Sequence, residues 1–105
     1  MDELITLIAE SYTTDAIGQR IPVETMRDVW AHISSVSRSE WFQAGQNGMK
    51  PALVAVTPRA NYAGEKTAVI RGKRYSVYRT YFTYDADTIE LYLEEKVANV
   101  RNSNG

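Results

Sequence analysis

The sequence predicts a mainly β fold, a small antiparallel β-barrel or sandwich of five to six strands with one short helix at about residues 38–45. Several segments alternate apolar and polar residues with period two, which is typical of strands with one buried face. Tight-turn residues separate these segments, as expected for strands joined by hairpins. A chain of 105 residues is long enough for one domain with a modest core, and we place that domain at residues 1–98, followed by a flexible tail at 99–105.

The first half of the domain predicts a long hairpin. Residues 4–12 mix a helix-like spacing of leucines with β-favouring residues, and we expect a strand there. A turn over residues 14–19 leads to a second strand over 21–33, in which Val29, Ala31 and Ile33 alternate with the opposite face.

The second half predicts the remaining strands, each bounded by turn residues. They cover residues 53–57, 66–70, 74–84 and 88–94. Arg71, Gly72 and Lys73 form the tightest predicted turn, because glycine accepts positive φ without steric cost. In the last strand Ile89 and its apolar neighbours alternate with acidic and tyrosine residues, which indicates a half-buried antiparallel strand.

The helix is predicted from its first residues. Ser37 and Glu40 have the spacing of a capping box, in which each side chain binds the main-chain amide of the other residue. Val36 and Trp41 occupy the positions of a hydrophobic staple. A helix of about two turns is unstable alone, so we expect Trp41 and Phe42 to hold it against the sheet.

The segment after the helix is a candidate functional loop. The helix should end near Gly45, since Gly45 and Gly48 tolerate the left-handed backbone that ends helices. The loop comprises Gly45, Gln46, Asn47, Gly48, Met49 and Lys50. Polar loops of this kind often carry function.

Composition excludes several classes of function. The net charge is −1, which does not favour a general polyanion binder, and there is no cysteine for disulfides or thiolate metal sites. The first ten residues carry acids where a signal peptide needs positive charge, and no apolar run is long enough to cross a bilayer, so we expect neither export by a signal sequence nor membrane association.

The sequence does not support an enzyme. Its single histidine, His32, shares a strand face with Trp30, and we interpret it as a surface or interface residue. The carboxylate pairs at residues 85/87 and 94/95 lie in a turn and at a strand end, where solvation explains them. We therefore predict no catalytic residue, no metal ligand and no cofactor.

One alternative is a module of the OB type that binds single-stranded nucleic acid. Basic residues between 71 and 79 lie among the tyrosines Tyr75, Tyr78, Tyr81 and Tyr84. Aromatic side chains on a sheet can stack bases while cations follow the backbone. Alternation, however, places Tyr75 and Tyr81 on one face and Tyr78 and Tyr84 on the other, and tyrosine is a common strand residue.

The order and spacing of several motifs resemble the head-tail joining proteins of tailed bacteriophages, also called head closure or stopper proteins. The motifs are VWA at residues 29–31, ISSVSRSEWF at 33–42, AGQNG at 44–48, GEK at 64–66 and GKRYSVYRTY at 72–81. The resemblance covers about residues 21–96. Arg71 departs from it, because such proteins often have Asn before this glycine.

The resemblance implies a small β-barrel that assembles as a ring in the phage neck. Such a ring closes the DNA channel after packaging, lies under the portal or adaptor protein, and offers the attachment surface for the tail or a tail-completion protein. The channel-gating loop would be residues 45–50. The implied location is the virion neck, assembled in the bacterial host cytoplasm.

The same role implies two kinds of contact. A ring requires contacts between copies of the chain, and the exposed aromatic candidates for this interface are Trp30, His32, Tyr78 and Tyr84. Passing double-stranded DNA would be touched only weakly and without sequence preference, because strong phosphate binding would hold DNA that must later leave.

Overall fold

The computed structural model of this protein describes residues 2–83 and 85–96. These residues form a closed barrel of six antiparallel strands in the order β1–β2–β3–β6–β5–β4, which selects the barrel over the sandwich. The strands are β1 (Asp2–Thr14), β2 (Arg20–Ser35), β3 (Pro51–Pro58), β4 (Thr67–Ile70), β5 (Lys73–Tyr81) and β6 (Thr88–Glu95). Helix α1 (Arg38–Gln46) lies between β2 and β3, and a 3-10 turn (Arg59–Asn61) follows β3.

The hairpin of β1 and β2 extends well beyond the barrel. The two strands pair along their whole length, from Asp2 opposite His32 to Thr14 opposite Arg20. β1 pairs with β4 only over residues 6–8, and β2 pairs with β3 only over residues 32–35. Residues 9–26 therefore form a two-stranded ribbon, which we call the arm, whose outer edges are not paired with another strand in the described chain.

The barrel interior is filled by the alternating apolar residues that the sequence predicts. In β2, Val29, Ala31 and Ile33 are buried while Trp30 is 63% exposed. Along the full barrel the core consists of Ile5, Leu7, Val29, Ala31, Ile33, Ala55, Ala68, Ile70, Tyr75, Ile89, Leu91 and Leu93. The predicted strand at residues 4–12 is confirmed as part of β1.

The turn between β4 and β5 has the geometry of a tight hairpin. Arg71 and Gly72 both have positive φ, +53° and +80°, as the two central residues of a type I′ turn require. Gly72 accepts this conformation at no steric cost, whereas Arg71 holds a backbone conformation that favours glycine or asparagine.

A β-bulge in β5 overturns the predicted alternation of its tyrosines. Val77 lies opposite Leu93, but Arg79 instead of Tyr78 lies opposite Tyr92, so Tyr78 is the extra residue. The side-chain period is therefore shifted by one position after the bulge. Tyr75 points into the core, whereas Tyr81, opposite Glu90, is 50% exposed.

Helix α1 begins as predicted and ends later than predicted. Ser37 is the N-cap, and its hydroxyl accepts a hydrogen bond from the Glu40 amide at 3.1 Å. Gly45 lies inside the helix, which ends at Gln46. Gly48, with φ of +82°, supplies the left-handed residue, and the amides of Gly48 and Met49 donate to the carbonyls of Gly45 and Ala44 at 3.1 and 3.0 Å. These two bonds form a Schellman motif.

Two sequence-based predictions fall outside the described residues. They are the tail at 99–105 and the interface residue Tyr84. Among the described residues, no helix has the length and apolar character needed to cross a membrane.

Candidate functional site

Helix α1 is attached to the barrel through Glu40, not through its aromatic residues. The buried residues of the helix are Glu40, 7% exposed, and Ala44, 6% exposed, which lie four positions apart on one face. Trp41 and Phe42 are 55% and 59% exposed. The prediction that these two aromatic residues dock the helix is wrong, because the polar residue of the first turn has the better partner on the barrel.

That partner is the bulge of β5. The Tyr78 hydroxyl donates to the Glu40 carboxylate at 2.6 Å, and Arg79 donates to the same carboxylate from Nε at 3.2 Å and from Nη2. A regular strand sends adjacent side chains to opposite faces, so the bulge is what allows Tyr78 and Arg79 to reach one carboxylate. The reciprocal half of the capping box, from Glu40 to the Ser37 amide, is replaced by these bonds.

Charge and burial act together in the cluster formed by Glu40, Tyr78 and Arg79. Hydrogen bonds from Arg79 and Tyr78 lower the pKa of Glu40 against the opposing effect of burial. Arg79 also lies over the ring of Tyr92, 4.0 Å from its centroid. Burial and a 2.5 Å hydrogen bond to Glu90 raise the pKa of Tyr92 to about 12. The helix is thus held by an ionised carboxylate and a cation, both with several partners.

A second buried carboxylate holds the base of the arm. Glu65, 4% exposed, accepts hydrogen bonds from Arg27 Nε and Nη2 at 3.0 and 2.8 Å, and from the Ala63 amide at 2.8 Å. Arg27 Nη2 also donates to the Asn61 carbonyl at 2.6 Å. Burial raises the pKa of Glu65, but these donors outweigh it and the pKa is lowered. The arm is therefore fixed to the loop between β3 and β4.

The predicted gating loop is shorter than the sequence indicated. Since Gly45 and Gln46 belong to α1, only residues 47–50 connect the helix to β3. The Lys50 amide donates to the Glu94 side chain at 3.1 Å, and the Schellman motif fixes the start of the loop. The side chains of Gln46, Asn47 and Lys50 are exposed. The loop thus offers polar side chains on a backbone with several hydrogen bonds.

The first turn of α1 carries an open groove with both apolar and polar lining residues. It is lined by Val36, Ser37, Arg38, Trp41 and Phe42 and has a volume of about 490 Å³. The rings of Trp41 and Phe42 meet edge to face with centroids 5.7 Å apart. The predicted staple residues Val36 and Trp41 line this groove together. We call it the α1 groove.

The arm carries apolar residues that the sequence analysis did not identify as functional. Five of them are exposed: Tyr12 (54%), Ile17 (78%), Ile21 (41%), Val23 (37%) and Met26 (59%). A two-stranded ribbon with two open edges is marginally stable in water by itself. The sequence did contain one indication of the arm. The predicted hairpin is longer than the strands β3 and β4, so part of it has no neighbouring strand with which to pair.

The predicted interface residues have different surroundings. Trp30 is exposed on the outer face of β2 opposite Leu4, and His32 lies 3.0 Å from Asp2. Tyr78 is half-buried and donates to Glu40, so the structure gives it a role within the chain.

The tyrosines of β5 do not form a common stacking surface. Tyr75 is 9% exposed in the core and Tyr78 is bound to Glu40, whereas Tyr81 is exposed. The described part of β5 therefore lacks the arrangement expected of a nucleic-acid stacking platform, because Tyr75 is buried in the core and Tyr78 at the bulge is bound to Glu40.

No three His, Cys, Asp or Glu side chains among the described residues are grouped in a way that would hold a metal ion. No model of a known protein family matches this chain, and no curated protein matches it either.

Proposed function

We propose that this protein is a head-tail joining protein of a tailed bacteriophage. Many copies would form a ring under the portal or adaptor protein, close the DNA channel after packaging and provide the surface to which the tail attaches. The observation that carries the proposal is the arm, a ribbon with five exposed apolar side chains and two open edges on an otherwise closed barrel. The resemblance of residues 21–96 to such proteins supports it.

A closed barrel with an open arm suits a subunit of a larger assembly. The six strands of the described chain close into a barrel, so the barrel body offers other chains much less free strand edge than the arm does. The arm is the opposite case, since both of its edges and most of its side chains are exposed. Covering it with neighbouring subunits would remove about five apolar side chains from water without disturbing the barrel core.

The segment proposed to close the channel is residues 47–50, together with the exposed Gln46 at the end of α1. A connection of this length reaches only a short distance, so one copy cannot close a channel. A ring brings many copies of these polar side chains together around an axis, where they can bind one another. Lys50 would contact the phosphates of passing DNA weakly.

The role is tested in the phage that encodes the chain. Removing the gene should give heads that package DNA, lose it and remain unjoined to tails, and cryo-electron microscopy of the wild-type neck should show a ring of this barrel. Infectious particles of normal yield without the protein, or a neck without the barrel, would refute the proposal.

The gating segment is tested separately, with its backbone left intact. Gln46→Ala, Asn47→Ala and Lys50→Ala together remove exposed side chains while keeping Gly48 and its Schellman hydrogen bonds. Necks should still assemble, but heads should lose DNA faster than wild-type heads. Normal DNA retention would reject residues 46–50 as the gate and leave the ring itself standing.

A further inference from the structure

We propose that the tip of the arm of one copy docks in the α1 groove of the next copy, in a head-to-tail contact. This inference deepens the proposed function and rests on it in so far as that function requires copies of the chain to assemble. The tip is the turn over residues 15–19 that joins β1 to β2. It supplies Ile17 to the groove and places Asp15 near Arg38.

The two surfaces are at opposite ends of the molecule. The tip directly precedes β2, and α1 follows β2 after two residues. The sixteen residues of β2 span roughly 50 Å in an extended strand, which agrees with the longest molecular dimension of 48 Å. The tip of one chain therefore cannot reach its own α1 groove. A contact between these two surfaces joins different copies and is heterologous, the type of contact that closes rings.

The tip is shaped to present one apolar side chain. The Asp15 carboxylate accepts hydrogen bonds from the amides of Ile17 and Gln19 at 3.0 and 2.9 Å, which fixes the turn. Ile17 is 78% exposed, more than any other large apolar side chain among the described residues. A fixed turn loses little conformational entropy when it binds, so Ile17 is a suitable anchor for an apolar pocket.

The α1 groove is suited to accept this side chain. Trp41 and Phe42 are each more than half exposed and hold each other in an edge-to-face pair. Aromatic residues that are rigid and exposed are typical of the centres of protein interfaces. Neither ring is needed to attach the helix, since Glu40 does that.

Charge complementarity favours a second copy as the occupant of the groove. The arm carries the acids Glu10, Asp15 and Glu24 and one arginine, Arg20, which lies over the ring of Tyr12. Glu24 is near Arg74, at 3.8 Å. Asp15 and Arg38 form no ion pair with any described residue. Docking of Ile17 would bring these two opposite charges to the rim of one contact.

The contact is small, which has a consequence for the isolated protein. One turn in one groove buries far less than the 1,200 Å² or so of a stable complex. We therefore expect the purified chain to be monomeric at low concentration and to make this contact transiently. In the neck, the partners on either side and closure of the ring would make it permanent.

Disulfide trapping detects such a transient contact, and the chain contains no native cysteine. Ala16→Cys places a thiol beside Ile17, and Ser39→Cys places one beside Arg38; both positions are exposed. Equal amounts of the two single variants are mixed under mild oxidation, and the heterodimer is quantified by mass spectrometry. Ala60→Cys, an exposed position outside both surfaces, replaces Ser39→Cys as the control.

The 16–39 disulfide should form at least ten times faster than the 16–60 disulfide. Equal rates, or a mixture dominated by 16–16 dimers, would overturn the proposal, and the second result would indicate tip-to-tip association. Absence of any cross-link at millimolar protein would also overturn it.

Two matched substitutions in the same cysteine background test the side chains. Ile17→Ser should slow trapping severalfold, whereas Ile21→Ser, an exposed apolar change elsewhere on the arm, should not. Asp15→Asn keeps an acceptor for the turn but removes the charge, and Arg38→Gln removes the opposite charge. Each of these two substitutions should slow trapping about threefold, and combining them should slow it no further. Glu10→Gln, the control, should leave the rate of trapping unchanged. Equal effects of the test and control variants would refute the assignment.

The outcome is independent of the test of the proposed function. Fast 16–39 trapping together with a phage neck that lacks the protein would support the contact and reject the phage role. A neck ring in which the tip lies away from the α1 groove would reject the contact and support the phage role.

Discussion

Glu40 shows how one residue can serve two structural purposes. Its amide donates to the N-cap Ser37, and its carboxylate binds Tyr78 and Arg79 on the barrel. The carboxylate is nearly inaccessible to water, so its charge is stabilised only by these partners. Glu65 plays the corresponding part at the base of the arm, where Arg27 is its cation.

We predict that Glu40→Gln lowers the free energy of unfolding by about 2 kcal/mol. Breaking a fully buried ion pair costs about 3–5 kcal/mol, and solvent access to Arg79, 43% exposed, reduces that loss. Chemical denaturation measures the change. Glu10→Gln, at an exposed arm position, is the control and should change stability by less than about 0.5 kcal/mol. Equal stability of the two variants would contradict the docking role of Glu40.

The pH dependence of stability follows from the same carboxylates. The pKa values of Glu40 and Glu65 are lowered in the folded state from the ordinary value of 4.5. The unfolded chain therefore binds protons first as the pH falls, so the stabilising effect of these carboxylates is complete above about pH 5 and is lost progressively as the pH falls through 4.5 to their lowered pKa values. Glu40→Gln should give a flatter stability profile between pH 5 and pH 3 than the wild type. An unchanged slope would show that Glu40 titrates alike in both states.

At the scale of elements, the end of α1 and the arm matter most. Two glycines three residues apart have opposite conformations: Gly45 is helical, and Gly48 has φ of +82°. An added Cβ at either position would meet nothing within 4 Å, so backbone conformation alone decides the effect of substitution.

We predict that Gly45→Ala stabilises the protein by about 0.5–1 kcal/mol, since alanine favours helix over glycine. Gly48→Ala should destabilise it by about 1 kcal/mol, because alanine is strained in the left-handed region. Thermal denaturation of the two variants makes a matched comparison. The same sign of change in both would contradict the observed end of the helix.

The arm should exchange its amide hydrogens faster than the barrel. Residues 9–14 and 20–26 have only each other as strand partners, whereas β6 is paired on both sides and carries Leu91 and Leu93 in the core. Hydrogen exchange followed by mass spectrometry on the monomer should therefore show early exchange in the arm and late exchange in β6. Protection of the arm equal to that of β6 would indicate that it is covered in solution.

At the scale of the whole molecule, the arm makes the protein elongated. Its radius of gyration is 15.5 Å, against about 13 Å for a compact domain of this length. The core lies entirely in the barrel, so the arm contributes shape and surface without supporting the core. Folding is therefore carried by the barrel, and the proposed function assigns assembly to the arm.

We predict that the arm can be shortened without unfolding the barrel. Replacing residues 10–24 with Asn-Gly would join Ala9 to Thr25, which lie opposite each other, through a two-residue hairpin turn. Circular dichroism should show a melting temperature within a few degrees of wild type, since no core residue is removed. Under the proposed function, this variant should fail to complete phage necks. Loss of the fold would show that the arm supports the barrel, and normal necks would show that it is not an assembly element.

Much of the fold was predictable because its determinants are local. Alternation identified the buried residues of β2 and β6, and Ser37 at the helix start was confirmed as the N-cap. Gly72 identified the turn between β4 and β5. The candidate site was predicted less well: Trp41 and Phe42 were assigned to the core, and the loop was begun two residues early.

The sequence by itself determined the strands, the start of the helix and the turns, because each depends on residues within a few positions of one another. Only the tertiary structure decided which side of α1 is buried, since the partners of Glu40 lie 38 and 39 residues away in β5. The bulge at Tyr78, which is also a tertiary feature, decided which tyrosines are exposed. The short β4 leaves the edge of the arm unpaired. Pairing and burial across such separations are set by the closure of the barrel, which no local pattern encodes.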